Sequence, residues 1–395
     1  MNVKALTWIG YLGMILNGVI VNIMGPVMPV IIQEYGLTLA AAGVVFTSQG
    51  VGRLVSVFLT GSWSDRVGRK PAVLLGALLT SAGAALYGVS SSWPGQIAGA
   101  ALFGSGLGML DGISNVLISD LYAEKRGLAL SRLHVFFGVG SLVGPLVAAF
   151  FLDVVGSWRL LFMFAALFSA GYFAAAARQV YPAPAAGRDV RREEFKAGHR
   201  RIIASKEVWM LAGIMFTYNG VGHTIMGWVN TYLSNELAAS LFSASLILTL
   251  YSVGITAGRM FWGSISERIG YSATLLVCSL GGFLFVTIGT LVENLWRIGT
   301  SLALTGVFLA AIFPTAVACG TSLFPQLIGT VSGYLITAAS LGGMLVPFVV
   351  GAFSDLVGLR FGMLAAPLMG AVQVTLAVFL NRRKPKPQTF EGIGV

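Results

Sequence analysis

The sequence predicts an all-α integral membrane protein of twelve transmembrane helices, arranged as two pseudo-symmetric six-helix bundles. Three observations carry that prediction. First, the 395 residues are 56% hydrophobic and only 10% charged, where a soluble chain carries roughly a quarter charged residues. Second, apolar runs long enough for a spanning helix of about 20 residues fill most of the chain. Third, an ungapped repeat relates the two halves. Gly61, Asp65, Arg66 and Gly68 recur 202 residues later as Gly263, Glu267, Arg268 and Gly270. The same offset takes Asn17 to Asn219, Gly127 to Gly329, Pro145 to Pro347, Asp153 to Asp355 and Gly156 to Gly358.

In chain order the apolar runs predict helices over 7–32, 39–62, 71–90, 94–119, 128–152 and 157–179. The second half follows with 206–233, 241–265, 271–292, 295–319, 327–352 and 357–381. The first run is too long for a signal peptide and lacks a convincing cleavage site, so it reads as a retained helix. Residues 180–205 hold Pro182, Pro184 and a series of arginines, the composition of a solvated linker. The expected organisation is therefore a bundle at 1–179, a linker at 180–205, a bundle at 206–381 and a basic tail at 382–395.

An even number of helices puts both termini on one side. That side holds 20 of the 25 Lys and Arg, and the other holds Arg159, Arg297 and Arg360. Positive residues collect in the cytoplasm, so both termini are expected there, in a cytoplasmic (inner) membrane. The net charge of +10 then reflects topology and membrane lipids, not nucleic acid. Cys278 and Cys319 lie within apolar runs as packing residues. Three widely separated histidines make no metal site. With no P-loop, zinc motif or nucleophile set, the chain reads as neither an enzyme nor a cofactor protein.

The stretch from Gly61 to Lys70 is a polar knot between two apolar runs, and it marks a membrane surface. Gly61 and Gly68 permit close approach and a tight turn. With its second copy, the twelve helices and the basic linker, this knot resembles the signature of the major facilitator superfamily over nearly the whole chain. The resemblance implies a monomeric transporter whose halves rock about a midplane solute site. It also implies a cytoplasmic latch of Asp65, Arg66, Arg69, Glu267 and Arg268, with Asp65 facing the N-terminal end of helix 11. A charged loop that fixes topology is the alternative.

Within helix 4, the run Gly106 to Asn115 is similar to that of the fucose-permease-like sugar–proton symporters, as are Leu133 to Gly140 and Gly144-Pro145 in helix 5. That resemblance implies proton coupling at Asp111 and sugar contact at Asn115. The helix 1 aspartate of the fucose permease is replaced here by Gly25, and that of many drug–proton antiporters by Asn17. Asp111 is then the membrane carboxylate available to carry protons, with sodium as the other candidate ion. Intramembrane carboxylates are costly and seldom idle. The alternative is a structural Asp111 that neutralises Arg53 or caps a neighbouring helix.

Arg53 lies 12 residues before Asp65, about 18 Å along a helix and so near the midplane. Arg259 lies 8 residues before Glu267. Two guanidiniums from opposite halves could clamp a carboxylate, and Arg259 also looks like the helix 8 arginine of oxalate- and monocarboxylate-type facilitators. Arg259 could instead tie helix 8 to the latch. His134 and His223 are candidates for proton transfer or solute contact, or packing histidines. Asn17, Asn219, Tyr218 and Trp228 complete the candidate solute site, with Trp228 equally suited to packing. Sugar or a sugar-like solute is expected first, then an organic anion, then drug efflux. A solute-sensing receptor on a transporter fold, or a membrane enzyme, are the readings from other classes.

Overall fold

A computed structural model describes residues 2–122, 126–182, 202–324 and 327–383, apart from the side chains of 58, 59, 61, 62, 65, 66, 126–128, 131, 328 and 329 within helices. Most of the expected linker and tail lies outside the described residues. The first half forms α1 (Val3–Tyr35), α2 (Leu39–Val67), α3 (Arg69–Val89), α4 (Trp93–Leu121), α5 (Arg126–Phe150, continued by a π-helical turn Phe151–Val155) and α6 (Trp158–Ala177). The second half forms α7 (Lys206–Glu236), α8 (Leu241–Ile269), α9 (Tyr271–Leu291), α10 (Leu295–Leu309 and Ile312–Leu323), α11 (Ile328–Val357) and α12 (Leu359–Gly362 and Ala365–Arg383).

Helix boundaries obey the sequence repeat. Leu39 and Leu241 begin α2 and α8, and Val67 and Ile269 end them, each pair 202 apart. The same offset superimposes α3 on α9 and α4 on the full span of α10. The last glycine of the doubled motif has a conformational reason. Gly68 and Gly270, which join α2 to α3 and α8 to α9, have φ of 94° and 86°, which a side chain would oppose.

Two helices are broken where proline removes a donor. The interruption of α10 at Ala310–Ala311 precedes Pro314, whose ring opposes the carbonyl four residues back. The interruption of α12 stands in the same relation to Pro367.

Among the described residues, ten helices are long and apolar enough to cross a membrane. The other two helices, α2 and α7, carry Arg53 and the run Tyr218-Asn219 with His223. Large apolar side chains stand outward, including Leu167 at 69% exposure on α6 and Leu368 at 62% on α12. Lipid is the solvent that suits such a surface.

Small residues set the helix spacing. A Cβ on Gly52 would overlap the Ala101 carbonyl oxygen, and one on Gly104 would overlap Gln49, so α2 and α4 touch backbone to backbone. The repeat mates α8 and α10 do the same, where Gly254 meets Ala303. Such close crossings suit membrane helices, which lack a hydrophobic drive to pair in lipid. Gly52→Val is expected to cost about 1–3 kcal/mol through overpacking. A lowered unfolding midpoint of the purified protein checks this.

By contacts the chain divides into two compact units. The first comprises Met1–Gly187, Ile225–Ser252 and Pro347–Met363, and the second Arg188–Thr224, Val253–Val346 and Leu364–Val395. This grouping departs from the halves read in sequence. Parts of α7, α8 and α11 join the first unit because they cross its helices closely. A Cβ on Gly25 of α1 would overlap the Met226 carbonyl oxygen of α7. Gly43 of α2 lies against Phe348 of α11, and Gly351 against Leu39. Trp228 donates its indole N–H to the Pro347 carbonyl at 2.8 Å and meets Phe46 edge-on. These crossings lie towards the ends of α1, α7 and α11 that are joined to α2, α8 and α12, the ends remote from the chain termini.

At that same end Arg159 of α6 gathers the first unit. Its guanidinium donates to Glu34 at 2.7 Å, to the Tyr35 hydroxyl at 2.8 Å and to the Ser90 carbonyl at 2.6 Å. Trp158 donates to the other Glu34 oxygen.

Candidate functional site

The glycines between α2 and α4 also build a polar cluster in the first unit. A Cβ on Gly108 would press on the backbone of Arg53, so the two helices meet at that residue. Asp111 lies one turn further along α4. There the Arg53 guanidinium donates to Asp111 Oδ2 at 2.6 Å. Asn115, four residues on and on the same helix face, donates to Asp111 Oδ1 at 3.3 Å and to its carbonyl at 2.8 Å. Both carboxylate oxygens are therefore engaged.

Asn17 closes the cluster from α1. Its amide donates to the Leu107 carbonyl at 3.2 Å, and its Oδ1 accepts from Arg53 at 3.3 Å. Asn17 is fully buried. Arg53 and Asp111 keep 30% and 28% of their side-chain surface, so the ion pair is sheltered without being sealed. Removing either charge would leave the other partly desolvated and unpaired, a costly state. A proton on Asp111 would weaken the hold on Arg53 and release donors.

A second cluster sits in the second unit. The Arg259 guanidinium stands close to the Tyr218 hydroxyl. Asn219 donates to the Ala339 carbonyl of α11 at 2.8 Å. His223 Nδ1 lies 3.1 Å from the Asn219 carbonyl, and its ring rests on Gly343. Among the described residues Arg259 has no carboxylate partner, and it is exposed. The repeat mates differ here, since Asn17 ties α1 to α4 whereas Asn219 ties α7 to α11.

The sequence-predicted residues fall into three sets. Asn17, Arg53, Asp111 and Asn115 come together in the first unit, and Tyr218, Asn219, His223 and Arg259 in the second. Trp228 stands apart, fully buried at the crossing of α7 and α11. His134 is exposed on α5.

Of the expected latch, the side chains of Asp65 and Arg66, and Gly61 with them, lie outside the described residues. Arg69 is buried and donates to Asp120 at 2.9 Å and Ser64 at 3.1 Å, bonds internal to the first unit. Gly263, Glu267 and Arg268 are exposed near the end of α8. Sequence reasoning missed Asp120. Its signal was a carboxylate within the last turn of α4, at the membrane level of the polar knot.

The sequence model of the Major Facilitator Superfamily matches residues 10–234 and again 210–394. The chain belongs to the Major Facilitator Superfamily. The two matches overlap over 210–234, and the superfamily assignment makes the protein a multi-pass membrane transporter of small solutes, not an enzyme. The chain is similar to the glucose/mannose transporter GlcP of Bacillus subtilis, at 24% identity over 95% of this chain and 94% of that one. It is similar to the fosmidomycin resistance protein of Escherichia coli, at 25% identity over 89% and 88%. Among solved structures it shares the fold of a D-xylose–proton symporter, with a TM-score of 0.74 and 17% identity over 98% of both chains.

Proposed function

We propose that this superfamily member is a proton-coupled secondary active transporter of a sugar or sugar-like polar solute. It works by alternating access in the cytoplasmic membrane, with both termini inside, and acts as a monomer. The observation that carries the coupling is the Arg53–Asp111 pair braced by Asn17 and Asn115. Protonation of Asp111 frees Arg53 to donate to solute oxygens, and solute departure returns Arg53 to the carboxylate. Proton and solute are thereby linked through one guanidinium. The similarity to a glucose/mannose transporter supports a sugar, and the coverage of nearly the whole chain gives that similarity weight.

A second reading has its own observation. Arg259 stands beside the Tyr218 hydroxyl and lacks a carboxylate partner among the described residues, which suits recognition of an organic anion. The similarity to a drug-resistance protein points to efflux, the third reading.

A thermal-shift screen of the purified protein separates these. Ligands that bind the folded state raise its apparent stability by mass action. We expect stabilisation by a neutral sugar, retained in Arg259→Gln. Stabilisation by a mono- or dicarboxylate that disappears in Arg259→Gln would replace the sugar reading with the anion reading. A response confined to lipophilic cations would support efflux.

A further inference from the structure

At the loop end remote from the termini, the last turn of α11 meets the first turn of α2. Asp355 accepts from the backbone N–H of Leu39 at 2.7 Å through Oδ1 and from that of Ala40 at 2.8 Å through Oδ2. Thr38, the N-cap of α2, takes the N–H of Ala41 at 3.2 Å. The first turn of a helix leaves its N–H groups without internal partners and carries a partial positive charge. One carboxylate from the other sequence half therefore satisfies two of these donors at once. Charged acceptors form the stronger class of hydrogen bond.

This contact sits beside two close crossings of the same end, Gly351 on Leu39 and Gly43 on Phe348. It fastens a seam that is already tight, between helices that belong to different halves of the repeat.

The repeat supplies an internal control. Asp153 is the mate of Asp355, and Ser240, the N-cap of α8, is the mate of Thr38, each pair 202 apart. Ser240 takes the N–H of Ser243 at 3.1 Å. Asp153, however, lies in the π-helical turn that ends α5, exposed, and among the described residues it makes no hydrogen bond or ion pair. Two equivalent carboxylates thus have different states, one engaged and one not.

We infer that Asp355 is a gating residue of the transport cycle. Its bond to the N-terminus of α2 holds the non-cytoplasmic face shut and must break each time that face opens. The inference rests on alternating access and is independent of which solute or ion is carried.

Pulsed spin-label distances test it on the full-length protein in lipid nanodiscs, without solute or gradient. Labels go at Gln33 on α1 and Leu356 on α11, both exposed. The native Cys278 and Cys319 are buried and stay unlabelled. The parent is expected to show mainly the short distance. Asp355→Ala should raise the long-distance population at least about fivefold, Asp355→Glu should restore much of the short one, and Asp153→Ala should match the parent. Identical distributions in Asp355→Ala and the parent would overturn the gating role. So would an equal shift in Asp153→Ala, which would mark a general effect of charge. Should Asp355→Ala prove unstable, Asp355→Asn, which keeps one acceptor oxygen, is expected to give a shift of the same sign. The readout contains no solute, so its failure leaves the solute assignment intact, and a wrong solute leaves it unaffected.

Discussion

Asp111→Asn is expected to abolish uphill accumulation of solute while sparing exchange of solute for solute. The substitution keeps the size of the side chain and removes both its charge and its titrating proton. Arg53, which donates to Asp111 at 2.6 Å, then has no carboxylate to return to, so solute movement is no longer tied to a proton. Accumulation ratios in proteoliposomes with an imposed pH gradient should fall to equilibration, and counterflow should continue. Stability falls as well. Breaking a buried pair costs about 3–5 kcal/mol. Both partners here keep close to 30% of their surface, so about 1–3 kcal/mol is the appropriate scale. Arg53→Gln combined with Asp111→Asn removes both charges and should recover much of that loss without recovering accumulation. This separates the coupling role from the structural one. Unimpaired gradient-driven accumulation in Asp111→Asn would remove the residue from coupling.

Gly25→Val should arrest transport for a different reason. At this point α1 and α7 touch through backbone, and any Cβ on Gly25 overlaps the Met226 carbonyl oxygen. The helix axes must separate to admit a side chain. An overpacking cost of about 1–3 kcal/mol depletes the state containing that contact by about 5- to 150-fold. Under the proposed alternating access each cycle passes through the closed crossing, so transport should slow in proportion. A cysteine in place of Met28, a residue buried on α1, should become reactive towards a membrane-impermeant maleimide. Gly171→Val on α6 is the control, because a Cβ there meets nothing within 4 Å, and it should transport normally. Parent-like transport and labelling in Gly25→Val would mean that the crossing is not part of the cycle.

Much of the fold was legible because membrane helices announce themselves one at a time. Each apolar run needs only its own length, and the 202-residue offset then aligned the halves without reference to contacts. The breaks in α10 and α12 were foreshadowed by Pro314 and Pro367, yet Pro145 and Pro347 lie in helices that continue through them. Whether a proline interrupts or merely bends depends on neighbours that can satisfy the freed carbonyl.

The candidate site was half legible. Arg53, Asp111 and Asn115 stood out as polar groups within apolar runs, and an Arg53–Asp111 pair was one of two open readings. The partner was decided by Gly52, Gly104 and Gly108, which bring α2 and α4 together at that level. Trp228 shows the opposite case. A tryptophan suits a sugar platform and a packed crossing equally. Partners distant in sequence, Phe46 and Pro347, decide that its ring is enclosed. Asp355 was visible as a repeat mate of Asp153, but nothing in the pattern distinguished the carboxylate that engages α2 from its mate. That difference lies in which helix ends meet.

The most direct test of the account is proton movement itself. Protein in weakly buffered proteoliposomes is given the sugar that stabilises it most, and the external pH is followed. The account predicts external alkalinisation on sugar addition by the parent, as protons enter with solute, and none by Asp111→Asn. Sugar uptake by the parent with no accompanying proton flux would contradict it.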